Sequence, residues 1–260
     1  MNIAVCIKQS IDTEAVITLD SAGQPVTEGA AQIIDPYAEF AVEKAVQLKE
    51  AFGGEVVLVT IGNEDETPAI RHGLSMGADR ALLINDSAID TANPRVKAKV
   101  LAAALSSLQP DLIMGGCKSG DTQRAQTIPR LATIMNLPQC NLVVDAQVIE
   151  GGIEVSHETD DGVEKLTLTL PAVIAAQQGL AEPRYPNVRA IMQSKKKPID
   201  TLTLADLGLD ADDVGPQAAQ IRAIAYALKP QRQGGRIMEG ETPDAVKETA
   251  ELLSTEAKVI

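Results

Sequence analysis

Short apolar runs of strand length alternate with longer segments of helical period through the first half of the chain. Ile3–Ile7 (IAVCI), Glu55–Ile61 (EVVLVTI), Arg80–Ile84 (RALLI) and Asp111–Met114 (DLIM) are near-continuous apolar stretches, as expected of strands covered on both faces. Between them, Phe40, Ala41, Ala45 and Leu48 recur at helical spacing before a Gly53-Gly54 stop. Thr67–Met76 is a second helical segment closed by Gly77, and Pro94–Leu108 a third, ended by Pro110. The Gly-, Pro- and Asp-rich stretch between Asp12 and Pro36 predicts an irregular loop or hairpin. Past Pro138 the period switches to two: Val143–Ile149 and Ile153–His157 flank Glu150-Gly151-Gly152, and Lys165–Leu170 alternates. Ala172–Ala176 returns as a buried strand. Strand and helix in alternation predict an α/β fold, a doubly wound, mostly parallel, Rossmann-like sheet with a small antiparallel addition.

Beyond Asp200 the pattern weakens. Leu202–Leu209 predicts one short helical turn, and Pro230–Gly240 is Gly/Arg-rich without an apolar period. Thr242–Leu253 predicts a last amphipathic helix, with Thr242 as N-cap and Pro243 at the first helical position. A lone helix beyond a linker buries little by itself. Residues 1–229 are therefore expected to be the α/β domain, and residues 230–260 an arm that packs on a partner or folds back onto the sheet.

Composition narrows the function classes. The 260 residues carry a net charge of −13, which disfavours a nucleic-acid backbone as partner. The five aromatic residues, Tyr37, Phe40, Phe52, Tyr185 and Tyr226, leave the core to aliphatic side chains and give few rings for stacking a flavin. Cys6, Cys117 and Cys140 have no C-x-x-C spacing, and only His72 and His157 accompany them, so neither a disulfide framework nor a zinc site is expected. No apolar run reaches the ~20 residues of a membrane helix, and the N-terminus enters a strand without a signal pattern, so a cytoplasmic location is expected. Phosphate-loop, G-x-G-x-x-G, H-E-x-x-H and G-x-S-x-G motifs are all missing, which leaves no catalytic constellation in this chain alone.

Two segments carry candidate chemistry. In GGCKSGDTQRAQTIPRLA (115–132), a glycine pair at a strand end leads through a polar loop to a helix starting near Thr127, with Pro129 in its first turn. That arrangement offers free N–H groups and a helix dipole to a phosphate, with Gln126 and Thr127 as side-chain donors; a capped loop without a ligand fits the same spacing. In LAEPRYPNVRAIMQSKKKPI (180–199), a Pro-Arg-Tyr-Pro turn and Val188 precede the basic triplet Lys195, Lys196 and Lys197. As a charge run alone, this reads equally as a solvated helix end.

Val173–Ile199, with E-P-R-Y and I-M-x-x-K-K-K, resembles the signature region of the electron-transfer flavoprotein β subunit. Further matches run in the same order along nearly the whole chain: A-V-C-I-K-Q-S-I-D at 4–12, I-D-P-Y-A-E-F-A-V-E-K-A at 34–45, L-S-M-G-A-D-R at 74–80 and A-D-L-G-L at 205–209. The resemblance implies an adenine-nucleotide-binding fold and a heterodimer with an α subunit that holds a redox-active FAD. That heterodimer would carry electrons from flavin dehydrogenases to a quinone oxidoreductase or similar acceptor. It also implies an AMP pocket lined by Cys6, Asp35, Pro36, Tyr37, Ala38 and Ile61. Gly116, Cys117, Lys118, Ser119, Gly120, Asp121, Gln123, Arg124, Ala125, Gln126 and Thr127 would complete it. Arg184, Tyr185, Val188, Ile191, Met192 and the lysines at 195–197 match the family's docking loop, where Val188 stands for the usual Leu, and Glu158 matches an acid involved in swinging the flavin domain.

The chain departs from the family pattern in places. Asp35 replaces a common Asn, and Thr13 a tyrosine found in some relatives. The D-G-D-x-x-Q-x-G-P form of bifurcating members, which hold a second FAD in place of AMP, survives only as Asp121, Gln126 and Pro129. AMP is therefore expected, with a bifurcating variant or a stand-alone adenine-nucleotide-binding protein as alternatives. A synthetase-like pyrophosphatase is disfavoured, because Lys8-Gln9-Ser10-Ile11-Asp12 lacks the glycine pair of its cradle.

Overall fold

In the computed structural model, which describes residues 1–230 and 234–260, the predicted strand–helix alternation is present and gains a strand at its edge. The chain opens with β1 (Ile3–Cys6) and passes through two small antiparallel ribbons: β2 (Gln9–Ile11) pairs with β5 (Gln32–Ile34), and between them β3 (Thr18–Leu19) pairs with β4 (Pro25–Val26). Helix α1 (Pro36–Phe52) starts at a proline, and the Asp35 carboxylate caps it by accepting from the Tyr37 N–H at 3.1 Å. There follow β6 (Val56–Ile61), α2 (Thr67–Met76), β7 (Arg80–Ile84), α3 (Pro94–Leu108), β8 (Leu112–Gly116) and α4 (Thr127–Met135). The antiparallel insertion is β9 (Gln139–Ile149), β10 (Gly152–Thr159) and β11 (Gly162–Thr169), after which β12 (Ala172–Ala176) rejoins the parallel part. The remaining elements are α5 (Val188–Ser194), β13 (Ile199–Leu202), α6 (Ala211–Val214) and α7 (Thr242–Thr255).

The main sheet has nine strands in the order β11-β10-β9-β12-β8-β1-β6-β7-β13, parallel from β9 to β13 and antiparallel from β9 to β11. The pleat divides β1 between two cores. Ile3 and Val5 pack with Ala41, Val42 and Ala45 of α1 and with Ile70 and Leu74 of α2. Ala4 and Cys6 face the other way, toward Val100, Leu101 and Leu105 of α3 and Leu131 of α4. A sheet covered on both sides is the doubly wound arrangement that the apolar runs predict.

Two local expectations change. Leu202 is not in a helical turn but ends β13, paired with Ile84, because the open edge of β7 offers a parallel partner. Thr242 is the first residue of α7 rather than its cap; Glu241 precedes it and makes no side-chain cap bond. No residue of α7 is buried. Of the expected linker, Gln231, Arg232 and Gln233 lie outside the described residues. Among the described residues no helix is long and apolar enough to cross a membrane.

Candidate functional site

From β1 the chain winds outward through β6 and β7, then returns to place β8 on the opposite side of β1. The crossovers therefore diverge at the carboxyl ends of β1 and β8, the place where an open α/β sheet leaves a crevice. A cleft of about 620 Å³ lies there, within the range of about 300–1,000 Å³ usual for small-molecule sites. Its walls are Cys6 and Lys8 past β1, Ile61 and Gly62 past β6, Asn85 and Asp86 past β7, and the loop from β8 to α4.

Most of the predicted pocket residues line this cleft: Cys6, Asp35, Ala38, Ile61, Gly116, Cys117, Lys118, Ser119, Asp121, Arg124, Ala125, Gln126 and Thr127. Pro36, Tyr37, Gly120 and Gln123 do not form its walls, and each has a structural task beside it. Pro36 opens α1. The Tyr37 ring packs edge-on against Phe40 at 6.4 Å, with Lys118 Nζ 5.2 Å from its centroid. The Gly120 N–H donates to Asp35 Oδ2 at 2.7 Å, and the Gln123 N–H donates to the Ser119 carbonyl at 3.0 Å. The glycine pair serves packing as well as ligand access. A Cβ on Gly115 would lie 2.5 Å from Ile128 Cδ1, and one on Gly116 2.7 Å from Tyr37 Cβ. Sequence reasoning missed Lys8, Asn63, Glu66, the 85–92 loop and Lys97. The strand-end rule, applied to β1 and extended to β6 and β7, would have pointed to all of these but Lys97.

The loop backbone is shaped for an anion. Gln123 and Ala125 both adopt the left-handed conformation, with φ of 47° and 51°. Alternation of this kind turns successive N–H groups toward one point. Among the described residues, the N–H groups of Ala125, Gln126, Thr127 and Ile128 have no hydrogen-bond acceptor, and all four residues line the cleft. The Gln126 Oε1 accepts from Arg130 Nε at 3.1 Å and Nη2 at 3.0 Å, which orients the amide and leaves Nε2 as its donor.

Charges around the cleft are mixed and strongly conditioned by burial. Lys8 Nζ pairs with the Asp121 carboxylate. Burial opposes the charge on Asp121, but the Lys8 hydrogen bond and charge, with Ser119 and Thr122, outweigh it and hold the carboxyl below its ordinary range. Asp35 and Glu66 are displaced upward, in both cases chiefly by burial, against N–H donors from Gly120 and Tyr37 for the first and Gln9 for the second. Burial pushes the Lys97 ammonium down to about 8 and the Cys6 thiol up to about 12, so Cys6 is a packing residue and not a nucleophile.

The second candidate region divides. Tyr185, Val188, Ile191 and Met192 are exposed, Tyr185 at 98% and Val188 at 74%. Lys195 and Lys196 are exposed too, whereas Lys197 Nζ donates to the carbonyls of Leu74 and Ala78 at the end of α2. Arg71 returns the contact by donating to the carbonyls of Ser194 and Lys197. Arg184 forks onto the buried Glu43 at 2.9 Å and onto Glu50 at 2.6 Å, tying the Pro-Arg-Tyr-Pro turn to α1. Glu158 Oε2, on β10, accepts at 3.2 Å from Nε2 of Gln177, the residue that follows β12.

The electron transfer flavoprotein domain model matches residues 24–207. Over the full length of both chains the sequence is 38% identical to the electron transfer flavoprotein subunit beta of Bacillus subtilis. It is 34% identical to the subunit of that name from Syntrophomonas wolfei (100% of this chain, 98% of the relative). With that from Bradyrhizobium diazoefficiens it shares 33% (98% and 96%). The chain belongs to the electron transfer flavoprotein β-subunit family. Membership gives this subunit a role in flavoprotein electron transfer, and the α/β fold with its antiparallel extension agrees with that assignment.

Proposed function

We propose that this β subunit pairs with an α subunit, holds AMP in the strand-end cleft and presents the 184–197 segment to flavin dehydrogenases. Electrons would pass through FAD held mainly by the α subunit to a quinone oxidoreductase or similar acceptor. The observation that carries the nucleotide assignment is the set of four N–H groups at the head of α4 without an acceptor among the described residues, on residues that line a cleft also lined by Lys8 and Arg124. Ala38, Ile61 and Ile89 supply apolar wall for a base. FAD, when bound by the partner, supplies the redox chemistry; the residues of this chain bind, orient and dock.

The exposed Tyr185, Val188, Ile191 and Met192 support the docking assignment, since Arg184 and Lys197 fix both ends of that segment to the body. Helix α7, none of whose residues is fully buried, supports an arm that finds its apolar contacts on the partner. The nucleotide reading is tested by denaturing the purified heterodimer and quantifying what is released. One AMP and one FAD per heterodimer are expected. Two FAD and no AMP would replace this reading with the bifurcating one, and FAD alone would remove the nucleotide from the cleft altogether.

A further inference from the structure

Three of the cations around the cleft are already engaged. Lys8 pairs with Asp121, Arg124 Nη1 donates to the Ala92 carbonyl at 2.7 Å, and Lys118 lies against the Tyr37 ring. Lys97 differs. It projects from the first turn of α3 into the cleft, and among the described residues its ammonium has neither an ion pair nor a hydrogen bond. The charged groups that face it are Lys8 from the end of β1, Asp121 and Arg124 from the β8–α4 loop, and Asp90 from the β7–α3 loop. Asp121 is committed to Lys8, and Asp90 accepts from the Ala92 N–H and forms no ion pair with Lys97 among the described residues. An ammonium without a partner in a half-buried site is costly, and a phosphate placed against the free N–H groups of α4 would relieve it.

We propose that Lys97 is a phosphate-binding residue of the cleft, which reads the monophosphate of the nucleotide and takes up a proton as that phosphate arrives. The inference rests on the nucleotide reading above and adds a residue and a linkage to it. Unliganded, Lys97 is held down to about 8, first by burial and then by the Lys8 charge. A bound dianion opposes both effects and raises its proton affinity. The favoured ligand state is the protonated one, so affinity is full below about 8 and falls as pH rises through that value. At its steepest the fall approaches tenfold per pH unit, the limit for one linked proton.

The test is calorimetric titration of the full-length chain, freed of nucleotide, with AMP, adenosine and inorganic phosphate between pH 7 and 9.5, in buffers of different ionisation enthalpy. AMP binding should take up a proton near pH 8 and weaken toward pH 9.5, while adenosine binding stays flat. Inorganic phosphate should show the same proton uptake at lower affinity; tighter binding of free phosphate than of AMP would overturn the nucleotide as the source of the anion. Lys97→Met should lower AMP affinity at pH 7 by roughly tenfold to a hundredfold and abolish the uptake, leaving adenosine unchanged. Lys97→Arg should keep the pH 7 affinity and lose the dependence between pH 8 and 9.5, because a guanidinium stays charged there; this also shows that position 97 tolerates substitution. AMP binding to Lys97→Met with wild-type affinity and wild-type proton uptake would overturn the inference alone. Equal losses for adenosine and AMP would assign Lys97 to the nucleoside and overturn it too. Wild-type chain that binds neither AMP nor adenosine would overturn the nucleotide reading together with it.

Discussion

Arg184 shows how a residue of the proposed docking segment is fixed by chemistry outside that segment. The Glu43 side chain it grips is 3% exposed, on a helix face otherwise given to Ala and Val packing. A carboxylate in that position is tolerable only with a fixed counter-ion. Arg184 supplies it through Nε and Nη2, at 2.9 and 3.0 Å, and reaches Glu50 with the rest of the fork. The paired carboxylates in turn hold the guanidinium pKa above its ordinary value, and Arg184 holds Glu50 below its own. Arg184→Met should therefore cost about 2–4 kcal/mol in chemical denaturation, chiefly because Glu43 is left buried and unpaired. Adding Glu43→Gln should recover a large part of the loss, since a neutral amide needs no counter-ion. If the single variant is as stable as the parent, the pair contributes no more than an exposed surface bridge. The same residue marks a limit of sequence reading: E-P-R-Y identifies the segment, but nothing in its spacing shows that the arginine turns inward while the neighbouring Tyr185 stays out.

At the level of elements, the apolar runs of β1, β6, β7, β8 and β12 were legible because strands covered on both faces leave a continuous signature. β13 was not, because an edge strand of sequence IDTL is half polar and takes its conformation from the open edge of β7. β2 and β5 pair over only three residues each, too short for any period to show. The β8–α4 loop was legible as a phosphate candidate from its glycines and the helix start. Its other wall was not: in NDSAIDTANP (85–94) the sequence reads as turns, and only the sheet order brings that loop beside the first. Asp35 joins these elements. One carboxylate oxygen caps α1 and the other accepts from the Gly120 N–H, so a single side chain sets the β8–α4 loop against the helix. Asp35→Ala should destabilise the chain by about 2–3 kcal/mol, one cap and one buried hydrogen bond together, and should speed hydrogen exchange at Gly120. Asp35→Asn, with a single carbonyl acceptor, should fall between the two. Unchanged exchange at Gly120 in the alanine variant would show that the loop holds its shape without the strap.

For the molecule as a whole, the question is what α7 is for. The segment before it runs exposed from Gln220 to Pro230, and no residue of the helix itself is fully buried, with Val246 61% exposed. Among the described residues its side-chain hydrogen bonds and ion pairs stay within 234–260: Arg236 reaches Glu248 at 3.3 Å, and Met238, Leu252 and Leu253 line one shallow hollow. A 14-residue helix with so little covered is marginal in water, at the length where isolated helices barely persist. Its apolar residues gain only when another surface covers them, at roughly 25 cal/mol for each Å² removed from water. Among the described residues, neither core of the body includes a residue from 234–260. Truncation after Lys229 should therefore leave the melting temperature of the chain within about 2 °C of the full-length value, as expected for loss of a segment that contributes under about 0.5 kcal/mol. The same truncation should weaken association with the α subunit, measured by titrating one subunit into the other. An arm that serves the partner predicts both results together. A truncated chain that melts well below the parent yet binds the α subunit normally would return residues 230–260 to the body of the fold.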